Sequence, residues 1–214
     1  MTVNFDTILE IENYIKEISP LTELLIVTKN QNEFDIDQLI DKGYQDFGEN
    51  RVQDANLKYS KKITTNKNIK LHLLGPLQTN KVKLALKLFN TIQTLDRKKL
   101  VDEIVKEKIK NEVITKNFYI QINIGKEKQK SGIDESQLEG FYEYCLNFNL
   151  NIVGLMCIPP NDENTESFFS HMVALRDKIN PSLKLSMGMS NDYLLALRFK
   201  ANVIRIGSKI FNNE

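Results

Sequence analysis

Lys29 is the residue in this chain whose position first suggests covalent chemistry. It directly follows the apolar run Leu24–Thr28 in LLIVTKN. We expect a lysine that leaves a buried strand to be partly desolvated, which favours the neutral amine. A neutral amine adds to a carbonyl group and forms a Schiff base. The alternative is an ordinary surface lysine, since Lys and Arg together number 29 in this chain.

A group of small polar residues near the C-terminus has the chemistry of a phosphate site. Ser186 and Ser190 flank the end of a predicted strand in LSMGMSNDY, and we expect Ser190 to cap the helix that follows. Gly207 and Ser208 follow the next strand, directly after Arg205-Ile206. Backbone N–H groups and hydroxyls at such turns bind phosphate. A lysine, a phosphate cradle and a nearby arginine are together the parts of a pyridoxal phosphate site, whereas each part alone is explained by capping and turns.

Composition excludes several other classes of protein. Lys plus Arg number 29 and Asp plus Glu number 28, so the net charge of +1 argues against a nucleic-acid or anionic-membrane binder. No stretch approaches the roughly 20 apolar residues of a membrane span. The N-terminus carries acids where a signal peptide would carry basic residues, so we expect a cytoplasmic protein.

The two cysteines and two histidines do not form a metal-binding pattern. Cys145 and Cys157 lack metal-type spacing, and His72 and His171 lie in a predicted strand and helix. We interpret both histidines as structural and expect no metal.

Eight short apolar runs predict a β-strand each, and segments with helical periodicity separate most of them. The runs are Leu24–Thr28, Asp46–Gly48, Leu71–Leu74, Thr91–Leu95, Phe118–Ile124, Ile152–Ile158, Lys184–Met187 and Val203–Ile206. Ile8, Ile11, Ile15 and Ile18 form the apolar stripe of an extra N-terminal helix that Pro20 ends. This alternation predicts an α/β protein, an eight-stranded parallel (β/α) barrel of the triosephosphate isomerase type. No linker stands out, so we expect residues 1–214 to form one domain.

The barrel prediction brings the candidate residues together. In this fold the functional site lies at the C-terminal ends of the strands, and phosphate binds after the seventh and eighth. Because the first and eighth strands are neighbours in a closed barrel, Lys29 and the Gly207-Ser208 turn are expected to meet.

The chain resembles the pyridoxal phosphate homeostasis proteins, single-domain relatives of the alanine racemase barrel. The resemblance rests on ordered segments between about residues 24 and 211, and FGENRVQ, LQTNK and SMGMSND are its most specific motifs. It implies the barrel fold, pyridoxal phosphate as cofactor, and a role in the homeostasis of that cofactor.

The resemblance also implies roles for individual residues. Lys29 matches the lysine that holds the cofactor as a Schiff base, and Gly207 and Ser208 match the phosphate-binding turn. Ser186 and Ser190 are alternative side chains for a further phosphate contact. Arg205 matches the arginine that faces the pyridine nitrogen. Asn50, in FGENR, matches a residue near the cofactor ring.

Two classes of function stay open from the sequence. The first is a carrier that binds pyridoxal phosphate, buffers it, and delivers it to apoenzymes that depend on it. The second is an amino-acid racemase with the same cofactor. A two-base racemase needs an acid/base group opposite the lysine, which the two-domain racemases take from a partner's C-terminal domain. This chain shows no such domain, so we favour a monomeric carrier without efficient catalysis.

Overall fold

Eight parallel strands close into a barrel in the computed structural model, which describes residues 3–127, 129–160 and 164–211. Each strand pairs with the next along the chain, and the first pairs with the last. The strands are β1 (Glu23–Val27), β2 (Asp46–Glu49), β3 (Lys70–Leu73), β4 (Thr91–Leu95), β5 (Asn117–Ile122), β6 (Ile152–Cys157), β7 (Lys184–Ser186) and β8 (Val203–Ile206). The predicted barrel is confirmed, and each predicted run overlaps one strand, with bounds that differ by at most two residues.

Helices follow the strands and cover the outside of the barrel. They are α1 (Phe5–Ile18), α2 (Glu33–Asp41), α3 (Val52–Tyr59), α4 (Lys62–Thr65), α5 (Val82–Leu88), α6 (Lys98–Lys110), α7 (Leu138–Asn147), α8 (Thr165–Ile179), α9 (Tyr193–Arg198) and α10 (Ser208–Phe211). Short 3₁₀ helices, Thr79–Lys81 and Glu135–Gln137, precede α5 and α7. Among the residues described, no helix has the length and apolarity that crossing a bilayer requires.

The N-terminal helix α1 confirms the predicted extra element. Ile8, Ile11 and Ile15 are buried, as the apolar stripe requires. The helix begins after Asn4, whose side chain accepts a hydrogen bond from the Thr7 N–H, and packs beside α9 and α10. The Asn4 N–H donates to the carbonyl oxygen of Ile210 at 2.9 Å, so α1 is tied to the end of the barrel that follows β8.

Alternation along each strand separates two interiors. Ile26 belongs to the large apolar core between strands and helices, whereas its neighbours Leu25 and Val27 belong to a small separate cluster. Since successive side chains of a strand point to opposite faces, Leu25 and Val27 lie inside the barrel. Arg205, which pairs with Leu25 in the β1–β8 register, points inward by the same rule. The layer under the helices is therefore apolar, and the barrel interior holds polar groups as well.

Candidate functional site

A cavity of about 430 Å³ opens at the C-terminal ends of the strands, and we call it the mouth cavity. Segments that follow β1, β2, β3, β6, β7 and β8 line it. The predicted site residues among its lining are Lys29, Asn50, Ser190, Arg205, Gly207 and Ser208. The seventh predicted residue, Ser186, does not line it. The barrel thus brings to one opening residues that are up to 179 positions apart, from 29 to 208 in the sequence.

Strand alternation directs Lys29 into the mouth cavity. Val27 points inward, so Thr28 points out toward the helices and Lys29 returns to the inner side. Thr28 fixes this geometry, because its hydroxyl bonds the Glu49 carboxylate at 2.8 Å and the Tyr59 hydroxyl at 2.7 Å. Lys29 itself is exposed, so the expected partial desolvation was wrong: the residue lies one position beyond the buried Thr28. It pairs with none of the residues that the structure describes. Its amine is available to a ligand.

A second lysine, Lys58 of α3, lies directly behind this strand end. Its ammonium donates to the carbonyl oxygen of Thr28 at 2.8 Å and forms an ion pair with Glu49. Burial raises the pKa of Glu49, while the hydrogen bond and charge of Lys58 act in the opposite direction. Lys58 is thus committed to a buried structural pair. We did not predict this pair, although a glutamate that follows an apolar strand in DFGE was a signal for one.

Asn50 owes its place to a glycine on the neighbouring strand end. A Cβ on Gly75 would lie 2.1 Å from the carbonyl oxygen of Asn50, so only glycine allows the two segments to approach this closely. The hydroxyl of Thr94 donates to the Gly75 carbonyl oxygen at 2.9 Å and holds the turn from the other side. Asn50 is consequently fixed on the wall of the mouth cavity.

The turns after β7 and β8 meet on the opposite wall. Gly207 lies against the end of β1, and a Cβ there would be 3.0 Å from the carbonyl oxygen of Val27. The Lys209 N–H donates to the Ser190 hydroxyl oxygen at 3.4 Å, which joins the two turns. Ser190 and Ser208 therefore bring hydroxyls to this wall. Gly207 lets the backbone approach Val27, which lies two residues before Lys29. This is the chemistry of an anion cradle.

The two candidate serines have different surroundings. Ser186 is fully buried inside the barrel, where its hydroxyl donates to Gln93 and accepts from Arg205. Ser190 lines the mouth cavity. The expectation that Ser190 caps the next helix was wrong: Asp192 is the N-cap residue of α9, and its carboxylate accepts the Met189 N–H at 2.5 Å. The hydroxyl of Ser190 is thereby free of the capping role.

Arg205 lines the mouth cavity from inside the barrel and is almost fully buried. Its guanidinium donates to the Ser186 hydroxyl at 2.8 Å and to the carbonyl oxygen of Cys157 at 2.7 Å. Burial lowers the pKa of Arg205, and the nearby Cys157, Asp192 and Tyr119 raise it. An arginine keeps its charge even so, because its ordinary pKa lies far above neutrality.

The two histidines lie away from the mouth cavity. His72 is buried in β3 and bonds Gln93, and burial lowers its pKa to about 4. His171 lies on the exposed side of α8, where it contacts the Glu135 carboxylate. In the part of the chain that the structure describes, no group of three or more His, Cys, Asp or Glu side chains has the arrangement of a metal site.

A second cavity, of about 490 Å³, lies at the opposite end of the barrel, and we call it the floor cavity. His72 and Tyr119 line it together with the lysines Lys67, Lys70, Lys116 and Lys184. Lys184 pairs with Glu23 at 2.7 Å, and Lys70 lies 3.8 Å from Asp46.

The closed eight-stranded barrel is similar to the barrel of alanine racemase. The alanine racemase of Corynebacterium glutamicum aligns with a TM-score of 0.68 at 15% identity, over 98% of this chain and 62% of the racemase. This likeness shows the fold alone. No family model matches the chain.

Closer relatives show the family. The pyridoxal phosphate homeostasis protein of Aquifex aeolicus (strain VF5) is 38% identical over 181 residues, which are 80% of this chain and 78% of the relative. That of Pasteurella multocida (strain Pm70) is 36% identical over 199 residues, 88% of this chain and 85% of the relative. The chain belongs to the pyridoxal phosphate homeostasis protein family.

Solved structures agree with this assignment. PipY of Synechococcus elongatus PCC7942 without pyridoxal phosphate aligns with a TM-score of 0.83 at 27% identity, over 96% of this chain and 98% of PipY. PipY with pyridoxal phosphate bound aligns with a TM-score of 0.80 at 28% identity, over 96% of this chain and 99% of PipY.

Proposed function

We propose that this protein binds pyridoxal phosphate reversibly in the mouth cavity and acts in the homeostasis of that cofactor. The observation that carries the proposal is the convergence of Lys29, Arg205 and the Ser190 and Gly207-Ser208 turns on one cavity. Relatives named pyridoxal phosphate homeostasis protein and a PipY structure with the cofactor bound support it. A volume of about 430 Å³ is in the range of small-molecule sites.

Each lining residue has a defined task in this proposal. The Lys29 amine binds the cofactor aldehyde as a Schiff base, since it is the unpaired amine at the mouth. Gly207, Ser208 and Ser190 hold the phosphate. Arg205 faces the pyridine nitrogen, and Asn50 lies beside the ring. When bound, pyridoxal phosphate supplies an electron sink for carbanions.

Ser186 receives a different task from the one the resemblance left open. It is enclosed in the barrel and bonded to Arg205 at 2.8 Å, so it supports the arginine, and Ser190 supplies the phosphate contact.

The same cavity supports a carrier better than a racemase. Among the described residues that line it, the side chains that ionise are Lys29, Asp192 and Arg205. The Asp192 carboxylate accepts the Met189 N–H, and an arginine is a poor general base. Lys29 is left as the one base suited to proton transfer at a substrate carbon in that lining. We therefore propose slow turnover on amino acids.

The wider setting belongs to the same proposal. One cofactor-binding domain spans residues 1–214 and acts as a monomer in the cytoplasm, with apoenzymes that need pyridoxal phosphate as recipients. The two cysteines support a reducing compartment, because Cys145 and Cys157 are both free thiols.

The test combines spectroscopy with covalent trapping. Addition of pyridoxal phosphate to the purified protein should produce a visible absorption band, and borohydride reduction should fix the cofactor to the protein. Peptide mass mapping should then locate it on Lys29. The absence of a band would contradict cofactor binding, and label on another lysine would contradict the Lys29 assignment alone.

A further inference from the structure

A chain of buried hydrogen bonds runs through the barrel from the floor cavity to the mouth cavity. Arg205 donates to the Ser186 hydroxyl at 2.8 Å, and that hydroxyl bonds the Gln93 Oε1 at 2.6 Å. The Gln93 Nε2 bonds the His72 Nδ1 at 2.9 Å. Arg205 lines the mouth cavity, whereas His72 lines the floor cavity. The chain thus joins β8, β7, β4 and β3 across the interior.

Arginine fixes the direction of every bond in this chain. A guanidinium only donates, so the Ser186 oxygen accepts and its single hydrogen goes to Gln93. The Gln93 carbonyl oxygen accepts it, and the amide nitrogen donates to His72 Nδ1. His72 is then neutral, with its proton on Nε2. The flipped Gln93 amide would leave the Ser186 hydrogen buried without an acceptor, which is energetically unfavourable.

Arg205 is held by neutral hydrogen-bond acceptors, although the Asp192 carboxylate lies near enough to raise its pKa. Its acceptors are a hydroxyl and the Cys157 carbonyl oxygen, both neutral groups. Within the described ranges Arg205 forms no ion pair with a carboxylate. Because its two acceptors are neutral, Arg205 presents a positive charge to whatever occupies the mouth cavity, and a positive charge opposes protonation of a facing ring nitrogen.

We propose that Ser186, Gln93 and His72 are positioning residues, which orient Arg205 toward the cofactor ring and hold a neutral acceptor against it. The proposal rests on the proposed function, because only with bound pyridoxal phosphate does Arg205 face a pyridine nitrogen. Low exposure supports it, because Ser186 and Gln93 are fully buried and His72 is 7% exposed. Burial also keeps His72 neutral, with a pKa lowered to about 4, which agrees with its acceptor role toward Gln93.

The first experiment is carried out on the cofactor-free protein and tests the hydrogen-bond chain by itself. A long-range ¹⁵N–¹H spectrum of the histidine rings should show His72 as the neutral Nε2–H tautomer at pH 7. In Gln93→Glu the carboxylate only accepts, so His72 should gain a proton on Nδ1. Gln121→Glu is the matched control, because Gln121 is a buried strand glutamine that bonds Ser131 and lies outside the chain. It should leave the His72 signals unchanged.

The second experiment tests the positioning of Arg205 with ¹⁵N-labelled pyridoxal phosphate. The pyridine nitrogen of the bound cofactor should be unprotonated in the wild type. Ser186→Ala removes an acceptor from Arg205 and adds no charge, so it should weaken cofactor binding roughly tenfold and shift the ring nitrogen signal. Gln93→Glu should shift that signal toward the protonated form.

Each result decides a different statement. A wild-type His72 with its proton on Nδ1 would overturn the chain of donors. Unchanged affinity and an unchanged nitrogen signal in Ser186→Ala would overturn the positioning role, while cofactor binding itself would stand. A wild type that binds no pyridoxal phosphate would overturn the proposed function, and the positioning role with it. If Gln93→Glu fails to fold, the wild-type spectrum and Ser186→Ala still decide both parts.

Discussion

The mouth and the floor of the barrel both place lysines beside a cavity, yet the surroundings of these lysines differ. At the floor, Lys184 pairs with Glu23 and Lys70 faces Asp46. At the mouth, Lys29 pairs with none of the described residues. The floor cavity, at about 490 Å³, is slightly larger than the mouth cavity, at about 430 Å³. Lys67 and Lys116, also at the floor, pair with none of the described residues either, so an unpaired amine alone does not distinguish the two ends. The serine and glycine turns that surround Lys29 are what favours the mouth cavity as the candidate site.

The largest expected effect separates these two ends directly. Lys29→Ala should abolish the visible absorption band and the covalent label after borohydride reduction, because among the described residues no other lysine lines the mouth cavity. Lys184→Ala, at the floor, should keep both. Absorbance and intact mass measure the outcome. Covalent label that persists in Lys29→Ala would contradict the distinction between the two ends.

The next effect concerns stability and compares two ion pairs. Lys58→Met leaves Glu49 buried without its partner, and the loss of one member of a buried pair costs about 3–5 kcal/mol of unfolding free energy. Lys184→Met breaks an exposed pair and should cost about 0–1 kcal/mol. Urea denaturation measures both. Equal losses of unfolding free energy in the two variants would show that burial does not strengthen the effect of the Glu49–Lys58 pair on stability.

The third effect is a dependence of stability on pH that originates at His72. Its pKa in the folded protein is lowered to about 4 by burial, below the ordinary 6.5 of an unfolded chain. The folded state therefore binds the proton less well, so this stabilisation is complete above pH 6.5 and is lost as the pH falls toward 4. The difference amounts to about 3 kcal/mol.

Denaturation curves between pH 7 and 4 measure this effect. His72→Gln should flatten the dependence, because it removes the buried group that titrates. A wild-type curve with no loss between pH 6.5 and 4 would contradict a neutral buried His72.

The smallest effect sharpens the assignment of the mouth cavity to a phosphate. Ser208→Ala removes one hydrogen bond to a charged group, worth about 1.5 kcal/mol or roughly tenfold in affinity. It should weaken binding of pyridoxal phosphate and leave unphosphorylated pyridoxal nearly unchanged. Ser136→Ala, on the exposed 3₁₀ helix before α7, is the control. A loss that is equal for both ligands would place the phosphate elsewhere.

The sequence predicted the barrel well, because parallel strands covered by helices leave continuous apolar runs. The runs Thr91–Leu95 and Val203–Ile206 match β4 and β8 residue for residue. The position of Lys29 after β1 likewise followed from its place at the end of such a run. Both predictions depend on residues that are neighbours in the sequence, and the structure agrees with them.

Details that depend on two separate segments could not be predicted. The choice between Ser186 and Ser190 depends on where the short strand β7 ends, and Asp192 occupies the N-cap position that was predicted for Ser190. Gln93 looked like an ordinary strand residue in IQTL, although a buried amide always needs partners. Its partners, His72 and Ser186, lie on strands that only the closed barrel brings together.

The two cysteines give the molecule a built-in reporter of local opening. Cys145 belongs to helix α7 and Cys157 to strand β6, and both side chains are completely buried. Burial raises the pKa of each thiol to about 12, so at neutral pH neither reacts until the structure around it opens. The rate at which a thiol reagent modifies each cysteine therefore measures the free energy of opening at that place. Because one thiol lies in the helical layer and the other in the barrel wall, their two rates tell which layer separates first.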